Sequence, residues 1–173
     1  MFRKAEPRDL DAIAAIYDRI HDNEEAGKTT IGWIRSIYPT RATAQSSIEI
    51  GDMYVEEVDG IVVAAAKINQ EQVPEYANAQ WQWEASDEEI LVLHTLVVDP
   101  AKSRGGYGKA FVDFYEDMAR NMGCPYLRMD TNVRNTIARQ LYRGLGYAEV
   151  GIVDCQFNGI PGVQLVCLEK KVN

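Results

Sequence analysis

Cysteine is scarce in this chain and unpatterned. Cys124, Cys155 and Cys167 show no CxxC spacing, and pairing any two would leave an odd thiol. That excludes a cysteine-based zinc site and a disulfide framework as organising features, and it points to reduced thiols in a cytoplasmic protein. No stretch approaches the roughly 18 apolar residues of a membrane span. The first residues carry charge at Arg3, Lys4, Glu6, Arg8, Asp9 and Asp11, unlike an export signal. Basic residues are in deficit, with 18 Lys and Arg against 26 Asp and Glu, and the formal charge of −8 argues against nucleic acid or an anionic membrane surface as partner. A cationic partner fits that balance better. Neither an internal repeat nor a linker interrupts the sequence.

What is present is ordinary globular material. At 173 residues the length predicts one domain spanning 1–173, enough to bury a core without staples. Apolar residues at 46% and charged residues at 25% exclude collagen-like and wholly disordered readings.

Pro7, Leu10, Ile13, Ile16, Tyr17 and Ile20 have helical spacing and predict a first helix over 7–23, with proline in the first turn, where its missing N–H costs nothing. Ala42, Ala44, Ile48 and Ile50 indicate a second helical piece before Gly51. Met53 to Val58 and Ile61 to Ile68, joined by Asp59-Gly60, read as a hairpin. Residues 69–88 lack a usable period yet concentrate Tyr76, Trp81 and Trp83, so they form either part of a binding surface or a cover for the sheet. The near-continuous apolar run from Ile90 to Val98, stopped by Pro100, marks a central strand covered on both faces. Ala110, Phe111, Phe114, Tyr115, Met118, Ala119 and Met122 fall on one stripe of a long helix that ends at Gly123. Tyr126 to Asp130 reads as a strand, Thr136 to Leu145 as a short helix, and Tyr147 to Phe157 with Val163 to Val172 as a closing hairpin. The fold class is therefore α/β.

A strand that passes through Arg104-Gly105-Gly106-Tyr107-Gly108-Lys109 into a helix presents several backbone N–H groups at a helix N-terminus. Such a loop either binds an anion, a cofactor pyrophosphate by preference, or merely caps the helix. Spacing excludes the usual ATP and NAD loops, since neither GxxxxGK[ST] nor GxGxxG occurs here.

Ser103-Arg104-Gly105-Gly106-Tyr107-Gly108 resembles the Gln/Arg-x-x-Gly-x-Gly/Ala loop of the GNAT superfamily of acetyl-CoA-dependent N-acetyltransferases, with serine in place of Gln or Arg. Asn135-x-x-Ala138-x-x-x-Tyr142-x-x-x-Gly146-Tyr147 resembles that family's second element. The resemblance implies a mixed, mostly antiparallel sheet flanked by helices, whose splayed central parallel strands form the acetyl-CoA site. It implies main-chain pairing of Leu96, Val97 and Val98 with the pantetheine arm, and pyrophosphate bound along Arg104, Gly105, Gly106, Tyr107, Gly108 and Lys109. Asn135 would hydrogen-bond the arm, Ala138 would leave room for it, and Tyr142 would protonate the departing thiolate; packing in the core is the alternative role for Tyr142. The implied reaction moves acetyl from acetyl-CoA to a primary amine, of a small molecule or a peptide, by direct attack and without metal. A CoA-binding module without turnover, or a purely structural domain, are the alternatives. The first strands or the C-terminal hairpin offer an edge for a homodimer.

Attack on a thioester requires a neutral amine and hence a proton acceptor. Many members of the family are expected to carry a Glu where this sequence has Val92. His94, on the alternation of a regular strand, shares a face with Val92 and Leu96 and is one candidate base, with a buried structural role as the alternative. Asp87, Glu88 and Glu89 at the strand entrance are another, acting through water.

Overall fold

The computed structural model describes residues 1–102 and 104–173. Phe2–Lys4 form a first strand, β1, too short to leave a periodic signature. A single 3-10 turn at Pro7–Asp9 leads into helix α1 (Leu10–Glu25), and α2 covers Arg41–Glu49. Strands β2 (Met53–Val58) and β3 (Ile61–Asn69) are joined by Asp59 and Gly60, whose φ values of 51° and 76° are those of a two-residue hairpin turn. Then come β4 (Ile90–Val98), α3 (Tyr107–Met122), β5 (Tyr126–Asn132) and α4 (Thr136–Gly144). The closing hairpin is β6 (Ala148–Phe157) and β7 (Ile160–Lys171), turning at Asn158-Gly159. Its turn is tighter than the sequence predicts, because Ile160 pairs directly with Phe157 and the segment through Gly162 belongs to β7.

All seven strands join one sheet in the order β1-β2-β3-β4-β5-β7-β6. Every neighbouring pair is antiparallel except β4 with β5. The apolar stripe of α1 (Ile13, Ile16, Tyr17, Ile20) packs with Val55, Ala65 and Val97. Phe111, Val112, Tyr115 and Ala119 of α3 pack with Leu91, Leu93, Leu127 and Met129 on the opposite face. A third cluster gathers Ile90, Val92 and Cys167 beneath Tyr76. Ala64, Ala65 and Ala66 of β3 are fully buried, as a strand covered by helices on both faces requires. Among the described residues, no helix is long and apolar enough to cross a membrane, and no cluster of His, Cys, Asp and Glu could hold a metal ion.

Candidate active site

The site arises where the one parallel seam opens. β4 and β5 pair from Ile90 opposite Tyr126 only as far as Leu93 opposite Met129. Beyond that point β4 bulges. His94 opposes Lys67 and Val97 opposes Ala65 across β3, so Thr95 and Leu96 together face the single residue Ala66. Thr95 has a φ of 53°, rare for a β-branched residue, and its hydroxyl is hydrogen-bonded to that of Tyr38. The extra residue reverses the phase of the side chains. Val92 lies in the cluster under Tyr76, whereas Leu96 and Val98 pack toward the α3 core. This corrects the expectation that His94 and Leu96 share a face, since the alternation on which it rests is broken between them.

Between the diverging strands lies a cavity of about 630 Å³. The edge of Leu96 to Val98 that faces it has no strand partner, while the other edge stays paired with β3. Across the cavity, Asn135 caps α4 by accepting the Ala138 N–H at 3.2 Å, and Ala138, Leu141 and Tyr142 line the wall. At one end, α3 starts from Gly106, whose φ of 73° places it in the left-handed region, and among the described residues no side chain caps the first-turn N–H groups. Gly108 lines the cavity as well, and a Cβ there would sit 3.3 Å from Leu141 and 3.8 Å from Val98. The roof is the segment from Gly27 to Trp33. Glu24 pins it down by accepting hydrogen bonds from the Thr29 hydroxyl at 2.9 Å and from the backbone N–H groups of Ile31 at 2.8 Å and Gly32 at 2.7 Å.

A second cavity, of about 580 Å³, adjoins the first, and Leu93, Thr95, Asp130 and Phe157 line both. It is walled by Tyr17, Tyr38, Thr43, Ser46 and Ser47 on one side and by Lys67, Gln72 and His94 on the other. In the shared wall, the Asp130 carboxylate accepts a hydrogen bond from the Tyr76 hydroxyl at 2.8 Å. Burial pushes the Asp130 carboxyl up to about 6, against the opposing effect of that bond. Burial, and after it the negative charge of Asp130, raises the Tyr142 pKa, so this hydroxyl stays protonated at neutral pH.

A profile described as the Acetyltransferase (GNAT) family matches residues 13–147. The chain belongs to this family. Its fold is the GNAT fold and its class that of the N-acetyltransferases. A GNAT-family acetyltransferase from Streptococcus agalactiae superposes with a TM-score of 0.82 at 21% identity, over 100% of this chain and 95% of that one. The ribosomal-protein-alanine N-acetyltransferase of Brucella melitensis gives 0.70 at 20% identity over 99% of both chains. A Salmonella typhimurium protein solved with its cofactor acetyl-CoA gives 0.70 at 17% identity, over 100% of this chain and 94% of that one. No curated protein matches the chain by sequence.

Among the residues singled out from sequence in this GNAT chain, Leu96, Val97, Val98, Gly108, Asn135, Ala138 and Tyr142 come together around the first cavity. Arg104, Gly105, Gly106, Tyr107 and Lys109 do not line it; they lie at the start of α3, where Lys109 is paired with Asp113 at 2.6 Å. Ser103 lies outside the described residues. His94 lines the second cavity instead, with Nε2 bonded to Asn69 Oδ1 at 3.0 Å. Burial, followed by the charge of Lys67, pushes its pKa down to about 4, so its ring is neutral and weakly basic. Asp87 and Glu89 belong to a short turn ahead of β4, and neither they nor Glu88 line either cavity.

Sequence reasoning did not single out Asp130, which lines both cavities. A signal existed in β5, where Leu127 and Met129 alternate with Arg128 and Asp130, placing two charged side chains on one face of an interior strand.

Proposed function

We propose that this GNAT chain transfers an acetyl group from acetyl-CoA to a primary amine in a ternary complex, in the cytoplasm. The observation that carries this reading is the pair of adjoining cavities with Asp130 in their common wall and Tyr142 lining the first. The first cavity suits the donor: its unpaired strand edge at Leu96 to Val98 can hydrogen-bond an extended pantetheine arm as a neighbouring strand would. The N-terminus of α3, with glycine at its N-cap, suits the pyrophosphate, and the absence of a side chain at Gly108 keeps the space between α3 and α4 clear.

The second cavity suits the acceptor. Asp130, ionised above pH 6, takes a proton from the amine as its nitrogen forms the new bond to the acetyl carbonyl carbon. The bond from that carbon to sulfur breaks, and Tyr142 gives its proton to the leaving sulfur. Holding both substrates at one wall supplies much of the acceleration. His94, neutral and bonded to Asn69, shapes the acceptor cavity. The three free thiols accord with a reducing compartment.

Calorimetric titration with acetyl-CoA, with NADH and ATP as controls, followed by mass spectrometry of an amine panel, tests the reading. Selective binding of acetyl-CoA and an N-acetylated product are expected. Binding without any product would leave a CoA-binding domain, and no binding would reduce the glycine loop to a helix cap.

A further inference from the structure

Residues 70–89 cross the sheet between β3 and β4 as a strap tied down at its base. The guanidinium of Arg128, a buried residue, donates to Gln72 Oε1 at 2.7 Å and to the Trp83 carbonyl at 2.8 Å, and it lies 4.2 Å from the centre of the Trp81 ring. Glu169, fully buried beside Arg128, accepts the Gln82 backbone N–H at 2.8 Å. Trp81 donates its indole N–H to the Tyr76 carbonyl at 2.8 Å and packs edge-on against the Tyr76 ring at 5.1 Å. The backbone and ring of Tyr76 are thus fixed, and its hydroxyl has one partner among the described residues, the Asp130 carboxylate. A strap that only covered the sheet would have no use for a hydroxyl at that point; phenylalanine would fill the space without burying a polar group.

We propose that Tyr76 is a positioning residue, whose hydroxyl, delivered by the anchored strap, holds the Asp130 carboxylate in the wall between the two cavities as the ionised acceptor of the amine proton. This inference rests on the reading of Asp130 as that acceptor. The other titratable groups facing Asp130 are Glu75 from the strap, Tyr38 from the segment before α2, Tyr142 from α4, Cys155 from β6 and Cys167 from β7, with Lys67, Glu71 and His94 lining the same second cavity. Glu75 is of like sign, the two tyrosines, the two cysteines and His94 are neutral at pH 7, and the Tyr76 hydroxyl is the group bonded directly to the carboxylate that favours its charged form.

The test is a carboxyl-carbon NMR titration of the aspartates in the wild-type protein and in Tyr76→Phe, with Asp130→Asn used to assign the resonance. Tyr76→Phe keeps the packing against Trp81, so the fold is retained. The wild-type Asp130 midpoint is expected near 6. In Tyr76→Phe it should rise by about one pH unit, the size of one charge-assisted hydrogen bond. An unchanged or lowered midpoint overturns the inference, and if Asp130→Asn has meanwhile lost acetyl transfer, the proposed reaction stands without it. If Asp130→Asn transfers acetyl at the wild-type rate, the proton-acceptor reading fails and the inference fails with it, whatever the titration shows.

Discussion

Asp130, half-buried, and Tyr142, buried, are pushed in the same direction by desolvation, yet the proposed reaction gives them opposite duties. A carboxyl raised to about 6 is still ionised at pH 7 and is more basic than an exposed one, whereas a raised phenol is locked in its protonated form. Tyr142→Phe is expected to lower kcat by about 100-fold, the lower range for losing a general acid, with calorimetric affinity for acetyl-CoA almost unchanged. Asp130→Asn should cost kcat a similar factor and yet stabilise the protein. With the Asp130 pKa raised from 3.8 to about 6 on folding, the folded state binds the proton more tightly, and stability is lost as pH rises between those values. The asparagine variant should therefore melt above wild type at pH 8, a gain of up to about 3 kcal/mol from a shift of about two pH units, which vanishes by pH 4. Thermal melts at the two pH values check both the sign and the size.

At the scale of elements, much of the architecture is legible in residue patterns. The stripe of α3, the Asp59-Gly60 turn and the Asn135 to Tyr147 segment each encode local structure through spacing alone, and each forms where the pattern predicts. Two features that shape the site are not local. The β4 bulge depends on how Thr95 and Leu96 meet Ala66 on another strand, and nothing in the run from Ile90 to Val98 marks it. The roof over the first cavity depends on Glu24 reaching forward to Thr29, Ile31 and Gly32, in a stretch without periodicity. Glu24→Ala removes three hydrogen bonds from that roof. It should weaken acetyl-CoA binding by about 10-fold, in line with roughly 1.4 kcal/mol from loosening an ordered loop, with little effect on kcat at saturating donor. Calorimetry and a KM-against-kcat comparison separate the two.

For the whole molecule, the order β1-β2-β3-β4-β5-β7-β6 leaves a single parallel junction, and the two cavities lie at its open end. This assembly also answers what the 69–88 insert does, which composition alone left between a binding surface and a cover. Trp81 lies over Arg128, and Trp83 stacks on Tyr126 at 5.9 Å, while Gln72 lines the second cavity and the Tyr76 hydroxyl bonds to Asp130 in the shared wall. In an acetyl-transfer assay, kcat/KM should rise with pH through a midpoint near 6 as Asp130 ionises, plus a further rise set by the pKa of whichever amine is used. Comparing amines of different basicity separates the two limbs, because only the first stays fixed.

Phe157 lines both cavities, and its ring rests edge-on against Tyr38 at 5.1 Å. If the two cavities take donor and acceptor as proposed, a side chain common to both couples the two selectivities. Phe157→Ala should let propionyl-CoA compete with acetyl-CoA, narrowing the ratio of their kcat/KM values by about 10-fold, the worth of one methylene in an apolar pocket. The same change should relax the choice of amine, so that neither preference can drift without carrying the other along.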